Sequence, residues 1–442
     1  MKTTLHRRSN LIALLAAFTL GSLAGGIQAD DAANWPNWRG PNRDATAEGG
    51  DIPLEWSTTR HIAWRTELPH WAGSSPIVWG DHIFLTSPEK GGKGGAGDAG
   101  GKRIYLYAFE RERGGFLWRR ELSYGNKLMR KHNNASSSPV TDGQYVWAVT
   151  GTGEVVALDF TGKEIWRRNL QDDYGKFGIN WGYANSPLLH AGRLVIPVLH
   201  GFKTDDPSYL VSLDAKTGKE IWRTERPTDA IKESPDSYAT PQLLEVDGRK
   251  RVIINGGDIV TAHDFETGAE VWRAKGLNPK NLPFGRIVGS CLILDDLIIA
   301  PGRVDPMLAI RPGGEGDVSA THIAWSARGA DVPSPVSDGK YIWVLGDRGV
   351  ISCLDAKTGQ QLYEPQRIAN GTYSASPILA GGKIYAINEN AETTILEAGP
   401  EFEILAKNKL DGSYTLSTPA VSGDNLFIRT GEFLYRIGKK AG

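Results

Sequence analysis

The sequence predicts an all-β protein, an eight-bladed β-propeller with tryptophan-docking repeats, on three observations. A phrase of the form Asp-x-x-Thr-Gly-x-x-x-aromatic recurs, as in "LDAKTGKEIW" ending at Trp222. A Ser/Thr-Pro pair opens an apolar run at a steady interval, 42 residues from Pro335 to Pro377 and 42 again to Pro419. The last copy lacks its outer aromatic strand, and an orphan strand of that kind, "HIAWRTEL" around Trp64, stands before the first copy. Four short strands in about 40–50 residues is the period of a propeller blade.

The elements follow in order from the amino end. Lys2, Arg7 and Arg8 precede an apolar run from Leu11 to Leu23 and small residues up to Ala29, the pattern of a signal peptide over residues 1–29. The run is too short to span a bilayer comfortably. Arg7-Arg8 is compatible with a twin-arginine route, although Asn10 replaces the usual bulky apolar residue, so both export routes stay open. No Cys stands near the cleavage point, which argues against a lipid anchor. Residues 30–60 form a lead-in and residues 61–438 the propeller. Blade 1 opens at Pro76, carries a Gly-rich insertion over 88–102 that is expected to be flexible, and ends on Trp118. Blades 2, 3 and 4 open at Pro139, Pro187 and Pro241 and end on Trp166, Trp222 and Trp272. Blade 5 is degenerate: in "GRIVGSCLILDDLIIAPG" Gly289-Ser290 takes the Ser-Pro register, and Trp325 closes it. Blades 6 and 7 open at Pro335 and Pro377 and end on Tyr363 and Leu405. Blade 8 opens at Pro419 and stops after three strands, so Ile62–Leu68 is expected to lie beside Phe433–Ile437 and leave no free edge.

The recurring phrase reads as structural. Its Asp can accept turn N–H groups, and its Gly supplies the positive φ of the turn. Its aromatic fills the cleft to the neighbouring blade, which assigns Trp64, Trp118, Trp166, Trp222, Trp272, Trp325 and Tyr363 to docking. The 50 Lys and Arg against 51 Asp and Glu leave no basic stripe for nucleic acid. Cys291 and Cys353 sit in separate apolar runs and read as two buried thiols, although an exported chain permits a disulfide.

Units of this form opening on Ser-Pro strands resemble the repeats of the PQQ-like propeller superfamily, over Ala63 to Gly438. That superfamily holds the pyrroloquinoline-quinone alcohol dehydrogenases and BamB-like assembly proteins. The lead-in "NWPNWRGPNRDATAEG" is also similar to exported members. The resemblance implies two kinds of function: presenting loops to partners, or oxidation with pyrroloquinoline quinone and calcium. Dehydrogenases of the family carry adjacent cysteines beside the cofactor, which this chain lacks. Asn180 and Asn185 would be its amide ligands to calcium and Asp331 its base, and none lies in a matched motif.

In a propeller the loops entering the innermost strands gather at one mouth of the channel. Here they bring Trp71, His132, Asn133, Asn134, Asn180, Trp181, Tyr183, Tyr238, Arg286, Asp331, Tyr373 and Tyr414. Such a ring suits a planar polar ligand or a peptide segment; the alternative is that these groups satisfy loop backbone and plug the channel. His132 is the one acid/base candidate, its tautomer set by Asn133 and Asn134, against the commoner case of a spectator. His70, His190, His200 and His263 lack ligand spacing, so no metal site is expected. "GGKGGAGDAGGK" lacks the Lys-Ser/Thr and the following helix of a phosphate loop. The expectation is an exported, periplasmic or extracellular, monomeric binding or scaffold module. It would take a protein partner in the cell envelope or a small polar ligand, with no nucleic acid and no transmembrane segment. The alternatives are a PQQ-dependent alcohol or sugar oxidoreductase and a carbohydrate-binding or carbohydrate-acting propeller.

Overall fold

A computed structural model describes residues 1, 34–92 and 95–439; the segment 1–29 expected to be a signal peptide, Met1 apart, lies outside the described residues. Eight sheets, each built on four antiparallel strands, follow one another around a channel. Blade 1 runs from the inner strand Ile77–Trp79 to the outer strand Phe116–Tyr124, and blade 2 from Val140–Thr141 to Glu164–Asn169. Blade 3 runs from Leu188–His190 to Glu220–Glu225, and blade 4 from Gln242–Val246 to Glu270–Lys275. The degenerate blade 5 keeps four strands, Leu292–Ile293 to Ile323–Ala327. Blades 6 and 7 begin at Val336–Ser337 and Ile378–Ala380. Among the described residues no helix is long and apolar enough to cross a membrane.

Blade 8 takes strands from both chain ends. Its sheet is ordered Ile62–Glu67, Phe433–Ile437, Asn425–Arg429, Ala420–Ser422, with Trp64 opposite Arg436 and Glu67 opposite Phe433. Arg429 joins this blade to blade 1. It is fully buried and donates to the carbonyls of Ser74 (3.0 Å), Thr86 (2.7 Å) and His70 (3.1 Å) and to Ser87 Oγ (3.1 Å).

The recurring phrase works across blades. In blade 3, Asp214 Oδ1 accepts the N–H and hydroxyl of Thr217 (2.8 and 2.7 Å), which shapes the turn. Gly218 then sits at φ +69°, directly under the indole of Trp166 from blade 2. A Cβ at Gly218 would lie 2.6 Å from Trp166 Cε3, so the ring occupies the space a side chain would need. The indole N–H is donated to Ala215 O at 2.9 Å, in the same turn. Trp64 repeats this on Gly114, Trp118 on Gly162, Trp222 on Gly268 and Trp325 on Gly359, each with its own indole-to-carbonyl bond. Trp272 meets no such turn, because blade 5 lacks one. The stretch Gly316–Asp317 instead pairs in parallel with the outer strand of blade 4, Gly316 opposite Trp272. Tyr363 packs against Phe402 of blade 7, 5.8 Å between centroids. Cys291 and Cys353 are buried and unbridged.

The Gly-rich insertion, expected to be flexible, is tied down over its described residues. Gly95 O accepts the indole N–H of Trp71 at 2.8 Å, Ala99 O accepts from Asn126 at 2.7 Å, and Asp98 lies 3.7 Å from His70.

Candidate functional site

The hydroxyl residue that opens each blade, before Pro in seven of them and before Cys291 in blade 5, forms a collar around the channel. Ser75, Ser138, Ser186, Thr240, Ser290, Ser334, Ser376 and Thr418 stand one per blade. The N–H of each is donated to the hydroxyl oxygen of the next: Ser75 to Ser138 (2.9 Å), Ser138 to Ser186 (3.0 Å), Ser186 to Thr240 (3.4 Å) and Thr240 to Ser290 (2.8 Å). Ser290 gives to Ser334 (2.9 Å), Ser334 to Ser376 (2.9 Å), Ser376 to Thr418 (3.1 Å) and Thr418 back to Ser75 (3.0 Å). The circle closes. Each hydroxyl accepts one bond and still carries its own proton, so the collar presents O–H donors to the cavity it lines.

That cavity has a volume of about 200 Å³. Its floor is Trp38, supplied by the lead-in, which crosses the channel from blade to blade. Trp35 exchanges backbone bonds with Val78 (2.8 and 2.9 Å), Pro36 O accepts from Thr141 N–H (3.0 Å), and Arg43 donates to Leu189 O (2.6 Å). Arg39 reaches Pro335 O (2.8 Å), and Thr46–Ala47 pairs in parallel with the inner strand of blade 7. The lead-in is therefore a plug that divides the channel.

Above the collar, Trp181, Tyr238, Arg286, His132 and Lys131 make the wall. The guanidinium carbons of Arg130 and Arg286 lie 4.8 and 4.7 Å from the Trp181 ring centroid, and Tyr238 Oη accepts the Trp181 N–H at 3.0 Å. Arg286 pairs with buried Glu233 at 3.5 Å, and Lys131 with Glu389 at 2.8 Å. Asp236 knots the rim: its carboxylate accepts the N–H of Asn180 (2.6 Å) and of Phe202 (3.2 Å). Burial, with Glu233 nearby, raises its pKa to about 7. Burial lowers the pKa of His132, whose Nδ1 lies 3.1 Å from Asn133 O. Beside the mouth Phe202, Ile231, Leu282 and Phe284 are exposed. The loops carrying Ile231 and Leu282–Phe284 are held together, since Ser234 Oγ donates to Leu282 O (2.6 Å) and Glu233 N–H to Pro283 O (2.9 Å).

The structure sorts the sequence candidates. His132, Trp181, Tyr238 and Arg286 line the cavity, and Asn180 braces its rim by donating to Glu233 at 3.2 Å. Tyr414 stands behind the wall, edge-on to Trp71 at 5.0 Å, its hydroxyl donating to Lys131 O at 2.9 Å. Asn133 and Asn134 are buried and serve backbone, Asn133 donating to Trp71 O (2.9 Å) and Asn134 to Gly125 O (3.2 Å). Tyr183 and Tyr373 turn into the cores between blades; Tyr183 packs on Phe177 (4.7 Å) and Tyr373 donates to Ala369 O (3.0 Å). They are removed from the mouth because an apolar ring is better buried than exposed. Asn185 spans to Ser237 O (3.1 Å) and Ala239 O (2.8 Å), and Asp331 pairs with Arg303 at 2.9 Å. The collar and Trp38 were missed. A hydroxyl in every copy, the degenerate one included, was the available signal for the collar.

A family model described as outer membrane protein assembly factor BamB matches residues 46–176 and 161–399. The chain is 22% identical over 367 residues to outer membrane protein assembly factor BamB of Bordetella pertussis, covering 81% of each. It is 28% identical over 197 residues to a polyvinylalcohol dehydrogenase from a Pseudomonas species, covering 42% of this chain and 26% of that one. Among solved structures, a europium-containing methanol dehydrogenase superposes with a TM-score of 0.67 at 11% identity, covering 92% of this chain and 91% of that one. BamB from Moraxella catarrhalis superposes at 0.60 with 15% identity, covering 85% and 99%.

Proposed function

Because the chain belongs to the family of outer membrane protein assembly factor BamB, we propose that it is an exported, non-enzymatic recognition module. It seats an acceptor-rich, anionic group of a protein partner in the channel mouth. The observation that carries this reading is the donor-rich cavity: a collar of hydroxyls, Arg286 and Lys131 surround a floor and wall of indole. A carboxylate or carbonyl entering it meets O–H and N–H donors and an aromatic face. The apolar tips Phe202, Ile231, Leu282 and Phe284 beside the mouth give a protein surface something to bury, and anchors of this kind dominate interface energies.

Oxidation with calcium-bound pyrroloquinoline quinone, which the superfamily also hosts, is less well supported. The residues present do not fit that group. Cys291 and Cys353 are separately buried in blades 5 and 6. The mouth carboxylates Glu233, Glu389 and Asp331 are each taken by a cation, Arg286, Lys131 and Arg303. Asn180 and Asn185 are committed to Glu233 and to backbone carbonyls. The test is cross-linked capture from envelope extracts with the wild type, Trp181→Ala and Phe284→Asp. Loss of one captured protein in both variants supports the reading. Capture unchanged in both, or a tightly held small molecule in native mass spectra with no protein partner, refutes it.

A further inference from the structure

We infer that the lead-in forms a second site, a small-oxyanion chamber on the far side of Trp38 from the mouth. Between the plug and the inner strands of blades 2, 3 and 4 lies a cavity of about 60 Å³, lined by both Arg39 and Arg43 with Thr141 and Gln242. A single water needs only ~10–15 Å³, so the chamber holds a group the size of phosphate or a carboxylate.

Its charge is unbalanced. Arg39 is wholly buried; Nε donates to Arg43 O (3.1 Å) and Nη2 to Asp44 O (2.8 Å) and Pro335 O (2.8 Å), and Nη1 has no hydrogen-bond partner. Arg43 is half-buried and donates to Leu189 O at 2.6 Å. Neither guanidinium forms an ion pair among the described residues; Asp44, the nearest carboxylate in sequence, accepts the N–H of Thr46 at 2.8 Å. Burial lowers the pKa of both arginines, that of Arg39 to about 10, with the Asp44 carboxylate pulling the other way on Arg39.

The other fully buried arginines, Arg226 and Arg429, are enclosed by strands that they join and line neither of the two cavities. Arg39 and Arg43 differ because two cations face one enclosed space. Two cations facing one chamber with Asp44 as the nearby carboxylate are under-compensated, and paired planar guanidinium forks match the oxygens of a phosphate or carboxylate. The chamber is closed from the mouth by Trp38, so its anion is independent of whatever the mouth binds.

The probe is inorganic phosphate, titrated calorimetrically into the purified protein at pH 7 and constant ionic strength, with the thermal midpoint followed in parallel. One saturable site is expected, with a rise in midpoint that equimolar chloride charge does not reproduce. Arg43→Gln, which removes one backbone bond, to Leu189 O, is expected to weaken binding at least tenfold (about 1.4 kcal/mol) with the fold intact by circular dichroism. Arg39→Met is expected to abolish binding and the phosphate-dependent rise. Absence of one-to-one binding overturns the proposal, as does binding unchanged in Arg43→Gln. Binding lost in Arg286→Gln but kept in Arg43→Gln would place the anion in the mouth and overturn it equally.

Discussion

Gly218→Ala tests how one blade is fastened to the next. The new methyl would stand 2.6 Å from Trp166 Cε3 and 2.7 Å from Cδ2, against a preferred carbon separation of about 3.5–4.0 Å. The indole must therefore retreat by about an ångström, and its hydrogen bond to Ala215 O at 2.9 Å is lost with it. Alanine at φ +69° costs about 1 kcal/mol, overpacking about 1–3 kcal/mol, and the lost bond about 1 kcal/mol. The sum is about 3–5 kcal/mol. Gly192→Ala in the same blade is the control, because it shares the backbone strain (φ +73°) with open space around its Cβ, and should cost only about 1 kcal/mol. Urea denaturation followed by near-ultraviolet circular dichroism measures both, and Gly218→Ala in a Trp166→Ala background should lose less than in the wild type. Equal midpoints for the two glycine variants would refute the reasoning.

Three further outcomes are expected. Ser376→Ala removes the acceptor of the buried Ser334 N–H and should cost about 1–3 kcal/mol in urea denaturation, whereas Ser376→Thr should be close to neutral, since Thr240 and Thr418 hold equivalent places. Arg429→Met strands the carbonyls of His70, Ser74 and Thr86 and should cost about 3–5 kcal/mol, with faster amide exchange in blades 1 and 8 than in blade 4. Asp236 has a folded pKa of about 7 against 3.8, so the folded state favours its protonated form. Its contribution to stability therefore declines as pH rises from about 4 to 7, and Asp236→Asn should flatten the fall between pH 5 and 7 by about 2–3 kcal/mol. Parallel pH profiles for the two proteins would count against this.

The ring of blades was legible because its determinants are local and repeated: the Asp-Thr-Gly turn, the aromatic and the Ser-Pro opening lie within one unit, and each unit repeats the reading. Blade 5 could be placed without its turn because Ser290 keeps the register. The mouth was half legible. Loop position brought His132, Trp181, Tyr238 and Arg286 to the cavity, but loop composition does not encode which way a side chain turns. Asn133 and Tyr373 have the same chemistry as Asn180 and Tyr238, and they face inward to serve backbone and core. The collar's hydroxyls repeat in every unit, but what they bond to, like the seating of the plug, was illegible for another reason. The partner of Ser334 N–H lies 42 residues on, and that of Arg39 lies 296 residues on, distances at which no local pattern operates.

The plug also imposes an order on assembly. Its seats are Val78, Thr141 and Leu189, followed by Pro335 and Leu379, so a stretch made among the first must wait for blades 6 and 7 before Arg39 and Thr46 have anywhere to go. Arg39 and Thr46–Ala47 reach their final seats only once blades 6 and 7 exist, which puts residues 39–47 among the last to come to rest.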